Sequence, residues 1–313
     1  MSTASVENDE KREREEEEAE PRRSEFFDVL SARPTDLSDP ADLPRLNYNL
    51  WDYKTKLFLV SFLLVLEMSI LPIVLFYTLW FDTTLRHGIL FAIITSFFGI
   101  VTGLEFALRS WRLIMPSDEY RPLGGGRWHF DFSHWTMVFG YTIMTGILIG
   151  PSIPHEPLVR PLAMPVPFFL IQLGLQLLVT GIMNSRGQAA PFRISSIPKG
   201  DRMKPMVYTL VEDIVGVDGT AGKTYRERLR ERYEASWRFR VMIAQLNWFW
   251  AAGSLTAGIG SMVVLWVLSS QEIAYGVAWG APLIFAMIWT LITLHWVRRS
   301  LRNEKLMWAS RNG

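Results

Sequence analysis

The stretch NSRGQAAPFRISSIPKGDRMKPMVYTLVEDIVGVDGTAGKTYRERLRERYEASWRFR, Asn184 to Arg240, separates two long apolar runs. It carries Arg186, Arg193, Lys199, Arg202, Lys204, Lys223, Arg226, Arg228, Arg230, Arg232, Arg238 and Arg240. Cationic connectors this close to membrane spans resist translocation, so the stretch is expected on the cytoplasmic side and sets the orientation of the helices around it.

Outward from it, apolar runs lie at about Leu57 to Trp80, Gly88 to Leu108, His134 to Gly150, Ala163 to Met183, Val241 to Leu268 and Ala274 to Val297. Each approaches the ~20 residues needed to cross the hydrocarbon. The charged residues, 20% of the chain, gather in the tails and two loops between these runs, which excludes a soluble domain. The expected fold is therefore all-α, a polytopic bundle of six transmembrane helices.

Charge orients the bundle independently of hydropathy. The connection from Arg109 to Ser133 holds Arg109, Arg112, Arg121 and Arg127, and the C-terminal tail holds Arg298, Arg299, Arg302, Lys305 and Arg311. The turn at Phe81 to His87 has only Arg86, that at Pro151 to Leu162 only Arg160, and Ser269 to Ile273 neither Lys nor Arg. Alternating loops then place both termini in the cytoplasm. The expected organisation is a disordered charged tail (1–50), helices one to four (51–183), a basic loop with an interfacial amphipathic helix (184–240), helices five and six (241–297) and a basic tail (298–313). The first apolar run begins behind a long charged leader, so no cleavable signal peptide is expected. The address is an integral membrane, with endomembrane and plasma membrane equally open.

Proline and small residues refine the bundle. Pro72 predicts a kink in the first span, and the prolines before Phe168 predict that the fourth starts after Pro165 or Pro167. Gly253 with Ala257, Ser254 with Gly258, Ala257 with Ser261, and Gly99 with Gly103 form small-residue pairs that let helices approach closely, within the chain or in a helix-mediated oligomer. Trp80, Trp111, Trp128, Trp135, Trp248, Trp250 and Trp296 fall near span ends, as an aromatic belt requires.

With no Cys in the chain, thiolate catalysis and Cys-ligated metal are excluded. Glu67 is the candidate catalytic or proton-handling acid, because a carboxylate about ten residues into a span must be protonated, paired or hydrated. Gln172 and Gln176 share a helix face and, with Asn247, are the candidate substrate-binding residues. Glu105 is expected to pair with Arg109 at i+4. His129, Asp131 and His134 offer metal-ligating atoms without HExxH-type spacing, so polar anchoring is the better reading and no metal or other cofactor is expected. Outer His87 and His155 with inner His129, His134 and His295 make a weak case for paired haems, since His155 lies in a proline-rich turn. Gly216 to Thr224 imitates a phosphate-binding loop, but its first Gly stands one place too early, which removes a nucleotide as partner; nothing points to nucleic acid. Tyr225, Leu229, Tyr233 and Trp237 recur every fourth residue, giving a helix suited to lie on anionic inner-leaflet lipids of the bilayer.

The strings VYTLVEDIVGVDGTAGKTYRERLRERYEAS, RPLGGGRWHFDFSHW and IPHEPLVRPLAMPVP resemble those of uncharacterised filamentous-fungal multi-pass membrane proteins. The resemblance covers roughly residues 50 to 297 and implies a membrane fold with no activity attached. Three functions stay open: small-molecule or ion handling through a midplane polar cluster around Glu67; an integral-membrane enzyme acting on a lipid or isoprenoid, similar in general design to the fungal membrane terpene cyclases; and a non-catalytic membrane scaffold.

Overall fold

The computed structural model describes residues 43–46, 48, 53–97, 100–114, 118–126 and 128–312. It is all-helical: among the described residues there is no strand, only isolated bridges joining Ala189 to Arg202 and Ile194 to Ile197. Six helical stretches are long and apolar enough to cross a membrane: Phe58–Asp82, His87–Ile114, Phe132–Ser152, Pro165–Ser185, Trp237–Val267 and Gln271–Ser310.

The first span combines α1 (Lys54–Val65), a π-helical turn (Leu66–Ile70) and α2 (Leu71–Asp82). The irregularity expected at Pro72 takes the form of that turn. Proline has no N–H to give the preceding helix, and widening the register just before it re-pairs the backbone, with Leu71 N–H bonding Leu66 O. The second span contains α3 (His87–Phe97) and α4 (Ile100–Ile114), and the third is α5 (Phe132–Ile149) with a 3-10 turn. After the short α6 (Val159–Leu162), α7 (Pro165–Ser185) starts on its own proline, where a missing N–H costs no hydrogen bond.

Helix α10 (Trp237–Val267) is the axis of the bundle, packing most extensively on α7 and on α11 (Gln271–Asn312). Its small residues face both neighbours. A Cβ on Gly253 would lie 2.4 Å from the Trp289 ring, and one on Gly258 would lie 2.9 Å from Pro167 O. Of the other expected pair, Gly99 lies outside the described residues and Gly103 meets nothing within 4 Å. Near one end of α10, Phe76, Phe91, Leu162, Leu265, Tyr275 and Trp279 form a buried cluster. There Arg160 donates to the carbonyls of Leu265, Trp266, Leu268 and Ser269, satisfying the helix end that backbone geometry leaves open.

The 184–240 segment folds against the other end. It contains α8 (Met206–Asp213), a π turn (Ile214–Asp218) and α9 (Gly222–Ala235). Tyr225, Leu229 and Tyr233 do share one face of α9, but that face is buried against Tyr208, Phe239, Met242, Ile243 and Leu246. Trp237 is exposed and already belongs to α10. The stripe is spent on protein, and the exposed side of α9 is a mixed surface of Glu227, Arg228, Arg230 and Glu231.

The two tails stand differently. Residues 1–50, expected to be disordered, lie outside the described residues apart from 43–46 and 48; of these, Leu46 and Tyr48 pack on the α9 core and Pro44 O accepts from Arg232. The tail expected from Arg298 onward is no separate segment, because α11 runs unbroken for 42 residues.

Candidate functional site

Glu67 sits in the π turn of the first span and is 4% exposed. One carboxylate oxygen accepts from Thr102 N–H (2.9 Å) and Thr102 Oγ1 (2.5 Å), tying the first span to α4. Tyr141 of α5 lies within electrostatic reach of Glu67, Arg109 and Asp218. Phe106, one turn beyond Thr102, packs edge-on to Tyr141 and stacks on His134.

Seven residues further along α4 from Thr102, roughly 10 Å of helix axis, lies a buried charge centre. Arg109, 1% exposed, donates to Asp131 (2.6 Å) and to Asp218. Arg226, fully buried, donates to Asp213 (2.8 Å) and lies 3.4 Å from Glu212 and 3.7 Å from Asp131. Asp213 also accepts from Ser133 N–H, Ser133 Oγ and Ser195 Oγ. Sequence-distant segments thus meet in one place: the end of α4, the start of α5, α8, the second π turn and α9.

Two guanidiniums face four carboxyl groups here, too few to balance them, and burial decides the outcome. Loss of water raises Glu212 to about 7 against the pull of Arg226, and neither Glu212 oxygen has a hydrogen bond within normal distance. Burial likewise raises Asp218 to about 6, with Arg109 opposing. Asp213 is raised by burial and by neighbouring Asp131, with Arg226 opposing. For Arg226 burial works against the charge, yet Asp213 and Glu212 outweigh it and raise the guanidinium. The centre can therefore hold and release a proton near neutrality.

The remaining candidate residues are divided among separate tasks. Gln172 donates to Thr136 O (3.0 Å), while the Oε1 atoms of Gln172 and Gln176 are buried without partners. Asn247 donates to Leu177 O (2.8 Å) and accepts from Val207 N–H, tying α7 and α8 to α10. Among the described residues, the hydrogen bonds of Glu67, Gln172 and Asn247 run to different partners. Asp131 caps α5 through His134 N–H, His129 accepts from Gly126 N–H, and the His134 ring is stacked between Phe106 and Phe130. Among the described residues no group of three or more His, Asp or Glu is arranged for a metal ion. Arg109 does not take the expected Glu105: its guanidinium donates to Asp131 and Asp218 instead. The phosphate-loop imitation forms part of the second π turn and the start of α9, with Lys223 directed at Asp118 (3.5 Å).

Sequence reading missed Asp131, Asp213 and Arg226 as a unit. A signal was present: Arg226 and Arg232 fall on the same α9 face as Tyr225, Leu229 and Tyr233, where a solvated cation is out of place.

A family model described as a domain of unknown function, DUF8766, matches residues 32–308. No curated protein and no solved structure matches the chain.

Proposed function

We propose a function for a chain that belongs to the DUF8766 family, a domain of unknown function: it is a multi-pass integral membrane protein that handles a small ion or molecule, with Glu67 as the proton-exchanging group. The observation that carries the reading is Glu67 itself, an acid buried within a span in a π turn, an irregularity frequent at functional sites. Tyr141 supports it by bridging electrostatically from Glu67 towards the Arg109 and Asp218 end of the charge centre. Gln172 and Gln176 are the binding candidates, since their buried oxygens have capacity to spare; Asn247 is read as an interhelical tie. Both termini, and with them the 184–240 segment, face the cytoplasm in this reading. The likeness to filamentous-fungal membrane proteins belongs to the same proposal.

The test uses the full chain reconstituted in vesicles loaded with a pH-sensitive dye. Wild type should carry proton-linked flux under an imposed proton, sodium or potassium gradient. Glu67→Gln should lower it at least tenfold without changing thermal unfolding, and Tyr141→Phe should lower it less. An inert wild type, or a Glu67→Gln variant with undiminished flux, would sink the assignment.

A further inference from the structure

Past the apolar part of the sixth span, α11 carries Arg298, Arg299, Arg302 and Lys305, all exposed. One acid shares this stretch. Glu304 points inward, 3% exposed, with its oxygens held by Arg232 Nε (3.1 Å) and Nη2 (2.7 Å). That pair fixes the rotation of the helix and removes the only nearby negative charge on α11 from its outer face. Among the described residues, neither Arg302 nor Lys305 has an ion-pair partner. Arg298, Leu301, Arg302, Lys305 and Leu306 line an open groove of about 480 Å³. Spacings of four and three residues align the three cations along roughly 10 Å of helix axis. Leu306, 61% exposed, adds an apolar edge.

We infer that Arg302 and Lys305, with Arg298, Leu301 and Leu306, form a site for the headgroup of an anionic phospholipid. Charge complementarity selects a headgroup of net negative charge, and the apolar rim beside it suits the glycerol and upper acyl chain, which a free anion lacks. This site takes over the lipid contact that the α9 stripe, buried in protein, does not make. The inference rests on the membrane placement proposed above and is independent of Glu67.

Full-length protein is reconstituted in vesicles of phosphatidylcholine alone or mixed with phosphatidylserine, and the lipid retained on release is read by native mass spectrometry. Wild type should retain phosphatidylserine preferentially. Each basic residue contributes about 1 kcal/mol, so Arg302→Gln with Lys305→Gln should cut that preference by roughly 30-fold. Arg228→Gln with Arg230→Gln on α9 should leave it unchanged, as should millimolar inorganic phosphate. Absence of a phosphatidylserine preference, its survival in the α11 double variant, or displacement by free phosphate overturns the site. A chain that fails to insert into either vesicle overturns the membrane placement instead. Preferential capture of an acidic peptide over the lipid would replace the assigned partner.

Discussion

Arg226 has no exposed surface and touches carboxylates on α8 and at the start of α5. Removing one partner of a buried pair strands the other, which typically costs about 3–5 kcal/mol. Arg226→Ala should therefore lower the unfolding temperature in detergent sharply, while Arg228→Ala, on the exposed side of the same helix, should stay within about 0.5 kcal/mol. Glu212 gives the pH dependence. Its carboxyl rises from 4.5 to about 7 on folding, so the folded state holds the proton more tightly than the unfolded state. That stabilisation is complete below pH 4.5 and is lost as pH climbs through about 7, a fall on the order of 3 kcal/mol from this group. Thermal unfolding across this range should show the loss in wild type, and Glu212→Gln should flatten it. Residue by residue, only the place of Arg226 on the apolar face of α9 was legible. In a sequence, Arg226 is one cation among many, and its burial depends on Asp213, 13 positions before it, and on Asp131, 95 positions before it.

At the scale of the element, close approach is the testable quantity. Gly253→Ala forces a methyl into the Trp289 ring and should cost about 1–3 kcal/mol, whereas Gly103→Ala enters open space and should stabilise the helix by roughly 0.5–1 kcal/mol. Comparing the two unfolding temperatures isolates packing from helix propensity. The spans and the proline start of α7 were readable because length, hydropathy and a missing N–H act locally. The fate of the α9 stripe was not, because period four says only that one face is apolar. Whether lipid or protein covers that face depends on Tyr208 and Phe239, which the chain brings back from either side. Glu67 was readable as an acid out of place, but its partner Thr102, 35 positions on, was not.

For the molecule as a whole, the six-span count sets the strongest constraint. A cleavable tag inserted between Ser269 and Ser270 should be protected from protease in sealed inside-out vesicles, where the cytoplasmic side faces out, and tags at both chain ends should be cut. Tags on one shared side would refute the topology. Arg160 explains how the opposite turn tolerates a cation: its charge is engaged by four carbonyls at the end of α10.

The unbroken course of α11 has a mechanical consequence. At 42 residues it measures roughly 63 Å along its path, with Pro282 inside it, and is pinned near one end by Tyr77 on the Glu272 carbonyl and towards the other by Arg232 on Glu304. A swing of about 5° about the first pin would move the far tip by roughly 5 Å, about the length of one helical turn, and the Arg232–Glu304 pair stands against it. Whatever tilts the turn at Ser270 therefore loads that buried ion pair near the far end of the helix.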